Sequence, residues 1–157
     1  QVVNVQDKGG IFELTAQPAK GIEQQPHDET KPEINSPSEA WSQSGTDAQL
    51  VYITSNRIGH GNDELGQKLM LNFIATLPEM GASLWRILLL NSGVKLAVSG
   101  SPALDHLLQL EQSGVSILVC GTCLDFFNLL DQKQVGQTTN MLDVVTSLQL
   151  ADKVISI

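Results

Sequence analysis

Val115-Ser-Ile-Leu-Val119, running into Cys120-Gly-Thr-Cys123-Leu-Asp-Phe-Phe127, is the stretch on which the fold turns. Five mostly aliphatic residues after Gly114 read as a strand buried on both faces. The chain then breaks, and Cys123–Leu130 reads as a helix. The only two cysteines of the chain, Cys120 and Cys123, sit at that junction. A thiolate at a helix start meets unsatisfied backbone N–H groups and the positive end of the dipole, and both favour the anion. The competing reading is packing, because free cysteine is among the most buried residue types. The position at the strand's carboxyl end favours function, since open α/β sheets place their sites there.

Working outward, the same alternation recurs. Leu50–Thr54 is a short apolar strand, followed by Gly59-His-Gly61 and a helix over 62–80. Leu65, Leu69 and Phe73 mark its stripe, with Met70, Ile74 and Leu77 beside them. Asn62, Asp63 and Glu64 suit its start and Gly81 its end. Trp85–Leu90 is a second strand, too continuously apolar to have a wet face. Ser101-Pro102 opens another helix as N-cap and first position, with Leu104, Leu107 and Leu108 as its stripe and Gly114 as its stop. Gln134–Gln137 suits a short fourth strand. Asn140 caps a helix with Met141, Val144, Val145 and Leu148 on one face, and Val154–Ile157 closes as a strand. Strands alternating with amphipathic helices predict one doubly wound α/β domain over 49–157, with about five mostly parallel strands.

The residues before it differ in character. Val2-Val-Asn-Val and Ile11-Phe-Glu-Leu-Thr15 alternate about Asp7-Lys-Gly-Gly10, which predicts a hairpin within residues 1–16. Residues 17–48 carry four prolines among polar residues without apolar periodicity, the composition of a flexible linker. Only Trp41 there is suited to docking.

Of 157 residues, 41% are hydrophobic but only 4% aromatic, so the core must be aliphatic. A formal charge of −8 without Lys/Arg clusters argues against nucleic-acid binding. No 18-residue apolar stretch is present, which argues against a membrane span. With no basic-then-apolar leader and one close cysteine pair, a reducing compartment, the cytoplasm, is expected.

In a parallel sheet the segments after each strand converge on one edge. They bring Ser55, Asn56, Arg57 and His60, then Asn91, Ser92 and Lys95, then the cysteines with Thr122, then Thr138, Thr139 and Asn140. Arg57, His60 and Lys95 are the members able to lower a cysteine pKa. On electrostatics alone Cys123, inside the helix's first turn, is expected to be the more acidic and faster-alkylating thiol, with Cys120 its buried partner. Gly59-His-Gly61-Asn-Asp-Glu64 fails the dinucleotide fingerprint, because Glu64 replaces the third glycine and two acids would repel a pyrophosphate. Thr54-Ser-Asn-Arg57 departs from a flavin-binding loop after two residues. No second Cys-x-x-Cys exists and the histidines are scattered, so no metal site is expected. No cofactor is expected either.

Ser116–Phe127 resembles the central motif of the DsrE/DsrF-like sulfur-relay family, and within it the C-terminal domain of the YedF family of selenium metabolism. Gly61–Gly66, Asn91–Leu96, Thr139–Asp143 and Ala151–Val154 agree in order, so the likeness covers nearly all of 49–157. Asn4–Thr15 is similar to the end of a TusA/SirA-like domain. The Cys-Pro-x-Pro motif of such a domain is absent here, so the chain is read as an excerpt of a longer protein or as having lost that domain. The resemblance implies a flavodoxin-like three-layer α/β fold, homo-oligomers, and a cysteine carrying sulfur or selenium as a persulfide between donor and acceptor proteins. It thus implies a sulfurtransferase-like carrier with Cys120 and Cys123 as the chemical centre. The alternative is an oligomeric assembly or small-ligand-binding module in which the cysteines only pack.

Overall fold

The computed structural model describes residues 2–7, 12–17 and 47–157. The first unit is a two-stranded antiparallel sheet of β1 (Val2–Asp7) and β2 (Phe12–Gln17), in register from Val2↔Gln17 to Asp7↔Phe12. The hairpin is as expected, with its second strand reaching Gln17. Its turn, the linker and Trp41 lie outside the described residues.

The second unit is the α/β domain. Its elements are β3 (Gln49–Ile53), α1 (Asp63–Thr76), β4 (Leu84–Leu89), α2 (Leu104–Gln112), β5 (Ser116–Cys120), α3 (Gly121–Phe126), β6 (Gln137–Thr139), α4 (Met141–Leu150) and β7 (Lys153–Ser156). The sheet runs β6-β5-β4-β3-β7, with every neighbouring pair parallel. From β3 to β6 the chain steps one strand at a time in one direction, then returns across the sheet to β7. Parallel crossovers are right-handed because a right-twisted strand feeding a helix packs back only that way. Hence α1, α2 and α3 share one face, and α4 alone covers the other. This is a three-layer α/β fold.

Local chemistry explains the elements. The inner strands are aliphatic, and Leu50, Val51, Ile53, Ile87, Leu88, Leu89 and Val119 are wholly buried. Asn62 caps α1 by accepting from the Leu65 N–H at 2.9 Å. Gly114, at φ 99°, ends the segment after α2 in a conformation that favours glycine.

Several expectations are corrected. The buried stripe of α1 is Gly66, Met70 and Ile74, whereas Leu65 and Leu69 are exposed. The phase is set by a backbone contact: the Ile58 N–H donates to the Gly66 carbonyl at 3.0 Å, and a Cβ on Gly66 would lie 2.9 Å from the Ile58 oxygen. The helix expected to run to Met80 ends at Thr76, and Leu77–Ser83 continues in 3₁₀ turns. Ser101 caps a turn, its Oγ accepting from the Ala103 N–H, and α2 starts only at Leu104. The fourth strand is Gln137–Thr139 because Lys133 and Gln134 are used elsewhere: Lys133 bridges Val98, and the Gln134 N–H donates to the Ala97 carbonyl. On α4, Val144 is buried, but Met141 and Val145 of the expected inner face are exposed. The edge strand β7 is mostly exposed rather than buried on both faces.

After β4 the chain enters a 3₁₀ segment, Asn91–Ala97, that sequence periodicity did not foretell. It lies tight against the end of β3: the Leu90 N–H donates to the Ile53 carbonyl at 2.9 Å. A Cβ on Gly93 would stand 2.6 Å from that same oxygen. Both partners are backbone, so neither can swing away. Gly93→Ala is therefore expected to cost about 1–3 kcal/mol, the range for overpacking a filled core, read as a lower urea midpoint with unchanged m-value. A midpoint equal to wild type would show that the turn has slack.

Candidate functional site

The site forms where β5 gives way to α3. Cys120 is both the last residue of the strand and the N-cap of the helix, its Sγ accepting from the Cys123 N–H at 3.4 Å. That cap places Cys123 in the first turn, with its Sγ 2.8 Å from the Cys120 Sγ. Both cysteines are free thiols, Cys120 buried and Cys123 half-buried. From the neighbouring strand end, the Asn91 backbone N–H donates to the Cys123 Sγ at 3.1 Å. Asn91 takes φ 47° to do so, a left-handed conformation that asparagine tolerates better than most residues. Three strand ends thus meet here: β3 holds the Leu90–Gly93 turn, that turn holds Cys123, and Cys123 holds Cys120.

The expected acidity of Cys123 is not found. Burial pushes its pKa up, and the hydrogen bond and charge of Cys120 push the same way. The Asn91 N–H acts in the opposite sense and is outweighed. The α3 helix has only six residues, so its dipole is small and individual N–H groups carry the electrostatics. Cys123 therefore holds its proton into alkaline solution and donates it toward Cys120.

The other candidate residues separate into groups. Ser92 Oγ accepts from the Asn56 N–H at 3.4 Å, tying the loop after β3 to the turn after β4. Lys95 sits with its Nζ 4.4 Å from the centre of the Phe127 ring, one helical turn beyond Cys123. Arg57 pairs with Asp63 at the start of α1. His60 and Thr122 are exposed, and their side chains make no hydrogen bond or ion pair among the described residues. Asn140 is occupied structurally, its Oδ1 accepting from the Asp143 N–H at 3.1 Å as the cap of α4. The structure brings Cys120, Cys123 and Asn91 together, with Lys95 on the turn that Asn91 begins and Asn56 tied to that turn through Ser92. Among the described residues no three His, Cys, Asp or Glu gather as a metal site.

Sequence reading passed over Arg86, the one charge in an otherwise apolar strand. Its Nε donates to Ser116 Oγ at 3.1 Å and its Nη1 to Ser147 Oγ at 2.6 Å, so it pins α4 to the sheet. Burial lowers its pKa, and the Asp143 carboxylate opposes that. The interruption of the Trp85–Leu90 run by arginine was the available signal.

The DsrE/DsrF-like family model matches residues 52–157, which include both cysteines and every candidate residue named above. The chain belongs to the DsrE/DsrF-like family. That family is associated with sulfur relay. The fold is also similar to that of the ychN protein from E. coli, with a TM-score of 0.55 and 18% identity over 70% of this chain and 99% of that one. A conserved protein of unknown function, BT1422 from Bacteroides thetaiotaomicron, gives a TM-score of 0.49 at 18% identity, covering 69% of this chain and 94% of that one. No curated protein matches the sequence.

Two outcomes follow. In Cys120→Ala, two of the influences that raise the Cys123 pKa vanish while the Asn91 N–H remains. The pH midpoint of Cys123 alkylation by iodoacetamide should then move down relative to wild type, and an unmoved or raised midpoint would show that the sulfurs are uncoupled. Asn140→Ala should cost about 0.5–2 kcal/mol through loss of a helix cap, measured by urea denaturation, with the alkylation rate of the cysteines unchanged. A changed rate would give Asn140 a part in the site.

Proposed function

We propose that this domain is a sulfurtransferase-like carrier that accepts sulfur, or selenium, as a cysteine persulfide and passes it on. The observation that carries the reading is the thiol pair at 2.8 Å at the carboxyl end of a central strand, with the Asn91 N–H on its outer member. Cys120 receives the Cys123 N–H and S–H, which places it as the nucleophile, reacting as its thiolate. That thiolate attacks the outer sulfur of a donor persulfide; the donor's S–S bond breaks, and the donor leaves as a thiolate. The outer sulfur then goes to an acceptor thiolate. Alternatively, Cys123 attacks the inner sulfur, releasing hydrosulfide and leaving a Cys120–Cys123 disulfide for a cellular dithiol to reduce. Free neighbouring cysteines suit a reducing compartment, the cytoplasm. Within the family, the motifs around Cys120 and the β1–β2 hairpin support kinship with YedF and a TusA/SirA-like remnant.

Mass spectrometry under non-reducing conditions, after incubation with a low-molecular-weight persulfide, tests the reading. Wild type should gain one sulfur atom on the Cys120–Cys123 peptide, Cys120→Ser should gain none, and Cys123→Ser should retain its adduct longer. Absence of any adduct on wild type would remove the relay.

Subunit association belongs to the same proposal. Met141, Leu142, Val145, Leu150 and Val154 are 60%, 74%, 45%, 54% and 42% exposed, which leaves apolar side chains on α4 and β7 for a second copy to cover. These side chains also support the second reading, an assembly module with structural cysteines. Sedimentation at micromolar concentration should give a multiple of the 17.0 kDa chain mass. A mass of one chain would remove the association. An intact assembly in the double Cys→Ala variant, together with inert wild-type thiols, would favour the assembly module.

A further inference from the structure

A cleft of about 270 Å³ opens between α1 and the segment after β4, and Lys95 and Leu96 of the turn that holds Cys123 line it. Its floor is apolar, from Leu71, Leu96, Val98 and Ala103, and its rim carries Asn56, Gln67, Lys95 and Ser99. Those four side chains come from three places in the chain: the loop after β3, the middle of α1, and the turns after β4. Among the described residues none of the four side chains makes a hydrogen bond or an ion pair with protein, and Lys95 has only the Phe127 ring beneath it. No acid lines the cleft, although the whole chain carries a formal charge of −8. An apolar floor with a few convergent, uncommitted polar groups is the usual composition of a small-ligand site. The volume is just under the ~300–1,000 Å³ of sites for drug-sized ligands. It equals the liquid volume of about nine waters.

We infer that this cleft binds a low-molecular-weight thiol carrying a carboxylate, of amino-acid to tripeptide size, as the small-molecule partner in sulfur transfer. The transfer rests on the relay reading above; the binding does not. Lys95 takes the carboxylate, and a single cation suits one carboxylate better than a polyphosphate. The Asn56 and Gln67 amides, each both donor and acceptor, read the polar body of the ligand. The thiol is assigned from placement. The Asn91–Ala97 turn begins with the N–H on Cys123 Sγ and carries Lys95 four residues later, and Phe127, under Lys95, is one turn along from Cys123. The thiolate of the bound molecule attacks the outer sulfur of the persulfide on the pair. The protein's S–S bond breaks as a new one forms on the small molecule. The cysteine leaves as a thiolate and takes up the proton the ligand gave up, with no net oxidation.

Isothermal titration of the full, reduced chain tests this with four probes: glutathione, S-methylglutathione, succinate and inorganic phosphate. S-methylglutathione cannot exchange sulfur, so it reports the cleft alone. It should bind wild type and the Cys120→Ser/Cys123→Ser double variant alike. Binding should weaken by about tenfold or more in Lys95→Met, the scale of losing a hydrogen bond to a charged group. Gln67→Leu, on an exposed helix position, should also weaken it. No saturable binding by either thiol-derived probe, or equal binding by both variants and wild type, would overturn the inference. Succinate or phosphate binding as tightly as S-methylglutathione would overturn it too, leaving a general anion site. Lys95-dependent binding on a protein whose cysteines never take up sulfur would uphold the cleft and overturn the relay instead.

Discussion

The contact on which the site depends contains no side-chain chemistry. It is the approach of the Leu90–Gly93 backbone to the Ile53 carbonyl, tight enough to exclude even a methyl group. Because that turn cannot slide, the Asn91 N–H has one direction, and Cys123 Sγ lies in it. The following residues are carried outward with equal certainty, which sets Lys95 over Phe127 and opens the cleft beside it. A backbone donor is also a durable choice of partner for sulfur: it cannot titrate, and no rotamer change withdraws it.

The strand order imposes a second asymmetry. Three successive crossovers on one face leave the other to α4 alone. One ten-residue helix cannot cover five strands, and the sheet meets that shortfall in two ways. Near α4, the guanidinium of Arg86 spans from Ser116 to Ser147, replacing apolar packing with hydrogen bonds. Farther out, methionine, leucine and valine side chains are left in solvent. The cysteine pair and the exposed apolar side chains of α4 and β7 are thereby set on different parts of the domain.

Much of this was legible in the sequence. The alternation of aliphatic strands and helices gave the class because parallel strands buried on both faces show no polar alternation. Asn62 and Asn140 announced their helices because an N-cap is a local interaction, settled within three residues. The strand-to-helix junction at Cys120–Cys123 was legible too, but the helix runs over Gly121–Phe126 rather than the expected Cys123–Leu130, because Cys120 itself caps it. What failed was set by contacts between distant residues. The phase of α1 depends on Gly66 meeting Ile58, and Leu65 and Leu69 turn outward as a result. The place of β6 depends on Lys133 and Gln134 having already joined Val98 and Ala97. The acidity of Cys123 failed because a helix-end argument counts N–H groups but not burial or a second sulfur.

The pairing of β3 with β7 joins the first strand of the domain to its last. Gln49 lies beside Lys153, and the Asp152 carboxylate accepts from the Ala48 N–H across 104 residues. During synthesis, then, β3 emerges from the ribosome long before the strand that covers its outer edge. Through that interval the growing chain can already assemble β3, β4, β5 and the cysteine junction, while one side of β3 stays open to any extended segment nearby. Nascent chains in this state are exposed to mispairing. The sheet's sequence-distant seam therefore makes its final strand a checkpoint: the cysteine edge can form early, but the domain is closed only when residues 153–156 arrive.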